Sequence, residues 1–159
     1  MMNESAVALV KALKEKGKKI AFAESCTGGL ISAALTDVPG SSAVYDGGVC
    51  SYANRIKSAL LGVDPVALAT EGAVSATVAL QMAEGALRVF GADIAVSVTG
   101  IAGPDGGTDT KPVGTVFIAV CTKIDNEVVR CKFDGNRASV RKQTVAAALK
   151  RAIDMLEKR

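Results

Sequence analysis

Histidine is absent from the 159 residues of this chain, and its absence restricts the acid–base chemistry available to it. A Ser-His-Asp or Cys-His hydrolase cannot be built from this chain alone, because imidazole carries the proton in both. Proton transfer near neutral pH would therefore fall to a lysine, aspartate, glutamate, cysteine or tyrosine with a shifted pKa.

Without histidine, a zinc site would need an unusual set of ligands. The four cysteines, Cys26, Cys50, Cys121 and Cys131, form no CxxC pair. We therefore expect no bound metal and no cofactor. Cys50 and Cys121 lie in apolar, strand-like stretches, and we interpret them as small core residues.

Tryptophan is also absent, and aromatic residues make up 4% of a chain that is 49% hydrophobic. The apolar runs are too short to span a membrane, and no basic segment precedes an apolar one at the N-terminus, as a secretory signal would require. A net charge of +3 does not imply a general affinity for nucleic acid. We expect a cytoplasmic protein that binds neither membranes nor nucleic acid.

Helical periodicity alternates with short apolar segments along the chain. Helices are predicted over 4–16, 30–38, 54–62, 76–90 and 137–157, and strands over 19–23, 43–52, 93–99, 114–122 and 127–133. The last two strands read as a hairpin. We predict a single domain over 1–159, an α/β fold that is a three-layer α/β/α sandwich around a mixed, mostly parallel sheet with a C-terminal hairpin and helix.

Small residues and glycines concentrate in three segments, 25–29, 39–48 and 99–107. The first and third follow strands, and such loops meet at the ligand crevice of an open α/β sheet. Glycine there lets backbone N–H groups approach an anion closely. Neither the P-loop pattern nor the Rossmann glycine pattern is present, so a nucleotide would be bound by other means.

Ser25 lies at a predicted strand-to-helix corner, where its hydroxyl can face the crevice near free backbone amides. A helix N-cap is an equally good reading of this serine. Cys26 would be a stronger nucleophile, but its thiolate would depend on a nearby cation. Lys57, on the short helix after the second glycine segment, reads on its own as a surface lysine.

Seven segments together resemble one family, the C-terminal domain family of the competence/damage-inducible protein CinA. They are AESCTGG (23–29), VPGSS (38–42), GGVCSYANRIK (47–57), LGV (61–63), GAVS (72–75), TGIAGPDGG (99–107) and KPVGTV (111–116). Stand-alone members of that family are nicotinamide-nucleotide amidases. The resemblance implies hydrolysis of nicotinamide mononucleotide to nicotinate mononucleotide and ammonia by a Ser/Lys dyad.

The resemblance also implies roles for individual residues. Ser25 would be the nucleophile, Lys57 its base and Tyr52 a further catalytic residue. Lysine ordinarily has a pKa of about 10.4, so burial or a neighbouring cation would have to lower it. Backbone amides around Cys26–Gly28 or Gly100–Gly103 would stabilise the oxyanion. Substrate contacts are expected from Thr27, Gly28, Ser42, Thr99, Gly100 and Gly103, and from Arg137 and Arg141 of the segment FDGNRASVR, either of which could hold the phosphate.

Other interpretations remain open from the sequence. A rival enzyme would use Cys26 as nucleophile or Lys111 as base. A non-catalytic nucleotide-binding or regulatory domain would keep the glycine segments and the arginines but would need no dyad. A structural or interaction protein would leave the glycine segments without a purpose. The resemblance also implies that the chain forms a homo-oligomer. It further implies that the ligand is a small-molecule nucleotide substrate.

Overall fold

A single five-stranded sheet, in the order β2-β1-β3-β4-β5, organises the computed structural model, which describes residues 1–158. The strands are β1 Ile20–Glu24, β2 Tyr45–Cys50, β3 Ile94–Gly100, β4 Thr115–Thr122 and β5 Asn126–Lys132. The helices are α1 Glu4–Lys16, α2 Leu30–Thr36, α3 Asn54–Leu61, α4 Pro65–Thr70, α5 Ala76–Phe90 and α6 Arg137–Glu157. The predicted α/β sandwich around a mixed sheet is confirmed.

Two of the four strand pairings in the sheet are parallel and two are antiparallel. Strand β1 pairs in parallel with β2 and with β3, whereas β3 with β4 and β4 with β5 are antiparallel. The predicted hairpin of β4 and β5 is one antiparallel pairing, and β4 also runs antiparallel to β3, which makes the sheet less parallel than the sequence suggested. The parallel half is the part that carries the site.

Alternating side chains of β1 face two separate cores. Ile20 and Phe22 pack with α1, α2 and α6, whereas Ala21 and Ala23 face α5. The small residues on the second face let helices approach the sheet closely. A side chain at Gly85 would collide with the backbone of Leu61, so this glycine lets α3 lie against α5.

The predicted ends of the long helices are confirmed by their caps. Ser75 accepts a hydrogen bond from the Val78 amide, and Gly91 ends α5 with φ of 57°. Asn54 is the first residue of α3, and Ala53 occupies the cap position without a side-chain hydrogen bond.

The interpretation of Cys50 as a core residue is wrong. It lies at the end of β2, an edge strand whose residues alternate in exposure, and it is exposed. Cys121 is buried in β4, as expected. Within residues 1–158, no helix combines the length and the apolarity that crossing a membrane requires.

Candidate active site

Three hydroxyl-bearing residues lie side by side where β2, β1 and β3 end. Glu24 of β1 is in register with Cys50 on one side and Val98 on the other. The next residues along are Ser51, Ser25 and Thr99. The pairing continues through them, because the Ser25 amide donates to the Val98 carbonyl at 3.1 Å and the Ser51 amide to the Glu24 carbonyl at 2.8 Å. The carboxyl ends of parallel strands thus meet as the sequence predicted.

The amino group of Lys57 reaches Ser25 from α3. Its Nζ lies 3.0 Å from Ser25 Oγ, 2.6 Å from the carbonyl oxygen of Ser51 and 3.2 Å from that of Tyr52. Only 1% of the Lys57 residue surface is exposed. The predicted pair of residues is therefore in hydrogen-bond contact, and the surface-lysine interpretation is wrong.

Burial changes the acidity of the Lys57 amine. No carboxylate forms a salt bridge with it within residues 1–158. Loss of water around the ammonium lowers the pKa of Lys57, with a smaller opposing effect from Cys26. A lowered pKa makes the neutral amine, which can accept a proton, more available than in an exposed lysine.

The two rival catalytic residues are placed less favourably. Cys26 borders the same cavity as Ser25, but burial raises the pKa of its thiol to about 11, which disfavours the thiolate. Lys111 donates to the carbonyl oxygen of Glu71 at 2.6 Å and does not border the cavity.

The turn that carries Ser25 is held by a buried carboxylate beneath it. Glu24 is 1% exposed, and its two oxygens accept hydrogen bonds from the Thr27 hydroxyl, the Ile31 amide and both the amide and hydroxyl of Ser32, at 2.6 to 2.9 Å. The turn closes when the Gly28 amide donates to the Ser25 carbonyl at 3.0 Å. The φ of Gly28 is 59°, a value that glycine adopts readily.

An arginine from α6 contacts the same turn. Arg141 donates from Nε to the Cys26 carbonyl and from Nη2 to the Thr27 carbonyl, both at 3.1 Å. One helical turn earlier, Arg137 donates from Nη1 to the Gly103 carbonyl at 2.8 Å and from Nη2 to the Tyr52 hydroxyl at 3.0 Å. The two arginines therefore have different partners.

A cavity of about 280 Å³ opens between these elements. Its wall includes Thr99, whose hydroxyl donates to the Ala73 carbonyl at 2.9 Å. Since this hydrogen is committed, the Thr99 oxygen offers only lone pairs to a ligand. The cavity is lined by Ser25, Cys26, Tyr52, Asn54, Lys57, Ala73, Val74, Thr99, Gly100, Ile101, Ala102, Gly103, Asp105, Gly106 and Arg137.

The structure brings together most of the residues that the sequence singled out. Ser25, Lys57, Tyr52, Thr99, Gly100, Gly103 and Arg137 border the cavity, whereas Thr27, Gly28, Ser42 and Arg141 do not. Thr27 and Gly28 belong to the turn beneath Ser25. Ser42 is exposed in the short 3₁₀ helix Ser41–Ala43, and its contact with substrate stays a prediction.

Sequence reasoning missed four residues of the site. Glu24 is part of the AESCTGG motif, but only the structure shows that its carboxylate organises the turn. Ser51 is fully buried beside Lys57, and its hydroxyl has no hydrogen-bond partner within residues 1–158. Asn54 and Asp105 border the cavity. Knowing the strand register would have identified Ser51. Asn54 and Asp105 lie within the segments GGVCSYANRIK and TGIAGPDGG, but nothing in those segments distinguishes them from their neighbours.

Comparison with known proteins gives a consistent assignment. The model of the family described as "CinA C-terminal domain" matches residues 2–156. A CinA-like protein of Geobacter sulfurreducens is 51% identical over 142 residues, which are 89% of this chain and 34% of that protein. This chain spans about a third of the length of several such curated relatives.

Other relatives match over nearly their whole length. The nicotinamide-nucleotide amidohydrolase PncC of Enterobacter agglomerans is 49% identical over 154 residues, covering 96% of this chain and 93% of that protein. The crystal structure of the competence/damage inducible protein CihA from Agrobacterium tumefaciens superposes with a TM-score of 0.91 at 41% identity, covering 99% of each chain. A CinA superfamily structure from Escherichia coli has a TM-score of 0.93 at 32% identity, covering 98% of this chain and 90% of that one.

Proposed function

The chain belongs to the CinA C-terminal domain family, and from this premise we propose that it hydrolyses the carboxamide of nicotinamide mononucleotide. The products are nicotinate mononucleotide and ammonia. The observation that carries the proposal is the 3.0 Å contact between the buried Lys57 amine and the Ser25 hydroxyl, beside a cavity that also holds an arginine. The relative that covers nearly the same length is named for this substrate class.

The neighbours of Lys57 direct its lone pair toward Ser25. A neutral amine has two N–H groups and one lone pair. The carbonyl oxygens of Ser51 and Tyr52 accept the two N–H groups. The remaining position, toward Ser25 Oγ, then holds the lone pair, and the hydrogen bond runs from the serine hydroxyl to the amine. In this arrangement Lys57 is a base that needs no further residue to orient it.

Acylation follows from that arrangement. Ser25 Oγ attacks the carboxamide carbon as its proton passes to Lys57, and a tetrahedral oxyanion forms. The Lys57 ammonium then protonates the amide nitrogen, the C–N bond breaks and ammonia leaves. An ester joins the nicotinoyl group to Ser25, and Lys57 is neutral again. Thr99 is suited to accept a hydrogen bond from the carboxamide N–H₂, since its oxygen offers only lone pairs.

Deacylation repeats the proton transfers with water. Lys57 takes a proton from a water molecule that attacks the ester carbon, and it returns that proton to Ser25 as the ester bond breaks. The carboxylic acid so formed gives its proton to the released ammonia or to solvent, and the resulting carboxylate meets the lone pairs of Thr99 where the substrate offered N–H groups. This mismatch favours release of the product.

Arg137 is the residue we propose for the phosphate. Two of its five N–H groups are used by Gly103 and Tyr52, which hold the guanidinium at the cavity and leave three for phosphate oxygens. Tyr52 thereby acts through the arginine as well as through its carbonyl contact with Lys57. Gly100 and Gly103 form part of the cavity wall, and the lack of a side chain at each lets that wall pack closely against Val116 and Val113. A cavity of about 280 Å³ suits a ligand of this small size.

Self-association is a further part of the proposal. The resemblance implies a homo-oligomer, and Leu60 of α3 and Val66 of α4 are exposed apolar residues close to one another in the chain. Light scattering of the purified protein measures the number of subunits; a monomer at micromolar concentration would contradict this part alone.

The experiment that tests the proposed function is a direct assay. Purified protein is incubated with nicotinamide mononucleotide, and ammonia and nicotinate mononucleotide are measured. We expect equal amounts of the two products from the wild type, none from Ser25→Ala, and the same melting temperature for both. A wild type that binds the nucleotide without releasing ammonia would instead favour the non-catalytic binding domain.

A further inference from the structure

Two backbone amides of the Ser25–Gly28 turn, which carries the nucleophile, have no oxygen acceptor within residues 1–158. They are the amides of Cys26 and Thr27, whereas the neighbouring Ser25 and Gly28 amides both have one. Successive unpaired N–H groups beside a nucleophile are the usual donors to a tetrahedral oxyanion. The contacts that fix the direction of these two N–H groups therefore affect catalysis.

The direction of each amide is set by the carbonyl in the same peptide plane. In a trans peptide the C=O and N–H bonds point in opposite directions. The Cys26 carbonyl is held by Arg141 Nε, so the Thr27 N–H points away from Arg141. The Ser25 carbonyl accepts from the Gly28 amide, which fixes the plane that contains the Cys26 N–H.

Arg141 approaches from the face of the sheet opposite to Lys57. It belongs to α6, which packs with Ile20 and Phe22 on the first core. Ser25 follows the alternation of Ala21 and Ala23, which face the second core. An amide that points away from Arg141 therefore turns toward the face on which the Ser25 hydroxyl lies.

The contacts of Arg141 differ from those of a phosphate ligand. Its Nε and Nη2 edge is occupied by the two carbonyls, and it does not border the cavity. It forms no salt bridge within residues 1–158, although it is half-buried. A cation matched only with backbone carbonyls next to a nucleophile also places positive charge close to a developing oxyanion.

We propose that Arg141 is a positioning residue for the oxyanion hole, holding the Cys26–Thr27 peptide so that the amides of Cys26 and Thr27 face the substrate carbonyl. This inference rests on the proposed function. It assigns the oxyanion hole to the Ser25–Gly28 turn rather than to Gly100–Gly103. It also separates the roles of the two arginines, Arg137 for the phosphate and Arg141 for the turn.

The test compares Arg141→Gln with Arg141→Lys and with the control Lys142→Gln, a change at the adjacent, exposed position. We expect Arg141→Gln to lower kcat by about 10²-fold, the lower end of the loss on removing an oxyanion-hole donor. The KM for the nucleotide and for the dephosphorylated nucleoside should stay in the same ratio. The kcat of Arg141→Lys should lie between those of Arg141→Gln and the wild type, because an ammonium replaces the charge but cannot bond both carbonyls as the guanidinium does. Lys142→Gln should match the wild type.

A second readout does not depend on the nucleotide. A fluorophosphonate reacts with an activated serine: the Oγ–P bond forms, the P–F bond breaks, fluoride leaves and Lys57 takes the hydroxyl proton. Its phosphoryl oxygen needs the same oxyanion hole. We expect labelling of Ser25 to slow in Arg141→Gln by a factor similar to that in kcat, with no change in Lys142→Gln.

Several results would overturn the assignment. A raised KM for the nucleotide but not for the nucleoside would make Arg141 a phosphate ligand. Labelling at the wild-type rate, or loss of the folded state in both Arg141 variants, would also overturn it. If the wild type is labelled but hydrolyses no nucleotide, the proposed function fails and the labelling rates alone decide on Arg141. A wild type that does neither overturns both proposals.

Discussion

Replacing Lys57 with methionine tests two properties of the buried amine separately: its contribution to kcat as a base and its effect on the free energy of unfolding. Methionine has a similar length and no charge, so it fills the space next to Ser25 without a proton to transfer. We expect kcat to fall by about 10²- to 10⁴-fold, the contribution typical of a general base. The fold should remain, because a neutral side chain suits a site that is 1% exposed.

The stability of the two proteins should depend differently on pH. Burial lowers the pKa of Lys57 in the folded chain, whereas in the unfolded chain it is about 10.4. Below the folded-state pKa both states hold the proton, and the full cost of the buried ammonium is present. Between the two values only the unfolded state holds it, so the unfolding free energy of the wild type rises with pH relative to the variant. The slope is at most about 1.4 kcal/mol per pH unit and vanishes above the unfolded-state pKa.

Above the unfolded-state pKa, the difference in unfolding free energy between the wild type and Lys57→Met can be estimated independently of the protonation of Lys57. There the wild type keeps the neutral amine bonded to the carbonyls of Ser51 and Tyr52. The variant leaves both carbonyls without that donor, at a cost of about 1–3 kcal/mol for each buried group. The wild type should therefore be the more stable protein at high pH.

Urea unfolding, followed by circular dichroism over roughly pH 6 to 11, measures these differences. Other titrating groups contribute similarly to both proteins and largely cancel in the comparison. Lys142→Met, at an exposed position, is the matched control and should follow the wild type at every pH. A constant difference between Lys57→Met and the wild type over the whole range would mean that Lys57 has an ordinary pKa and would refute the reasoning.

Three further predictions address other residues of the cavity. Arg137→Ala should raise KM for the nucleotide by about 10- to 100-fold, the worth of charged hydrogen bonds, and raise it less for the nucleoside; equal increases would show that Arg137 does not hold phosphate. Cys26→Ala should keep activity within a few-fold, and iodoacetamide should react slowly at Cys26, since burial raises its pKa to about 11; rapid alkylation with parallel loss of activity would favour the cysteine nucleophile. Thr99→Val should lower kcat/KM by about tenfold, the worth of one hydrogen bond, and Thr99→Ser should retain it; equal losses in both variants would contradict a role for the hydroxyl.

The long helices could be predicted from the sequence because local signals specify them. The bounds of α5 follow from the apolar periodicity between Ser75 and Gly91, and both caps have the expected geometry. Cys50 could not be placed, because an apolar strand has the same pattern at the edge of a sheet as in its centre. The order of the strands decides its exposure, and that order depends on contacts between distant segments.

Some residues of the site could likewise be predicted from the sequence, whereas the contacts of others could not. Ser25, Lys57 and Arg137 could be proposed because family motifs contain them, and the cavity brings them together. Glu24 and Arg141 are in those motifs too, but their partners lie 3 to 8 and about 115 residues away in the chain. Four positions separate the two arginines on α6, so both lie on one face of the helix. The sequence could not assign them to different partners.

The central claim is that a neutral Lys57 amine removes the proton of Ser25, and the protonation of Lys57 can be observed directly. NMR titration of protein carrying ¹³Cε-labelled lysine resolves a buried amine from exposed ones. The account predicts one signal that titrates below the ordinary lysine value of about 10.4 and is missing from the Lys57→Met spectrum. A wild-type spectrum in which every lysine titrates together at the ordinary value would contradict it.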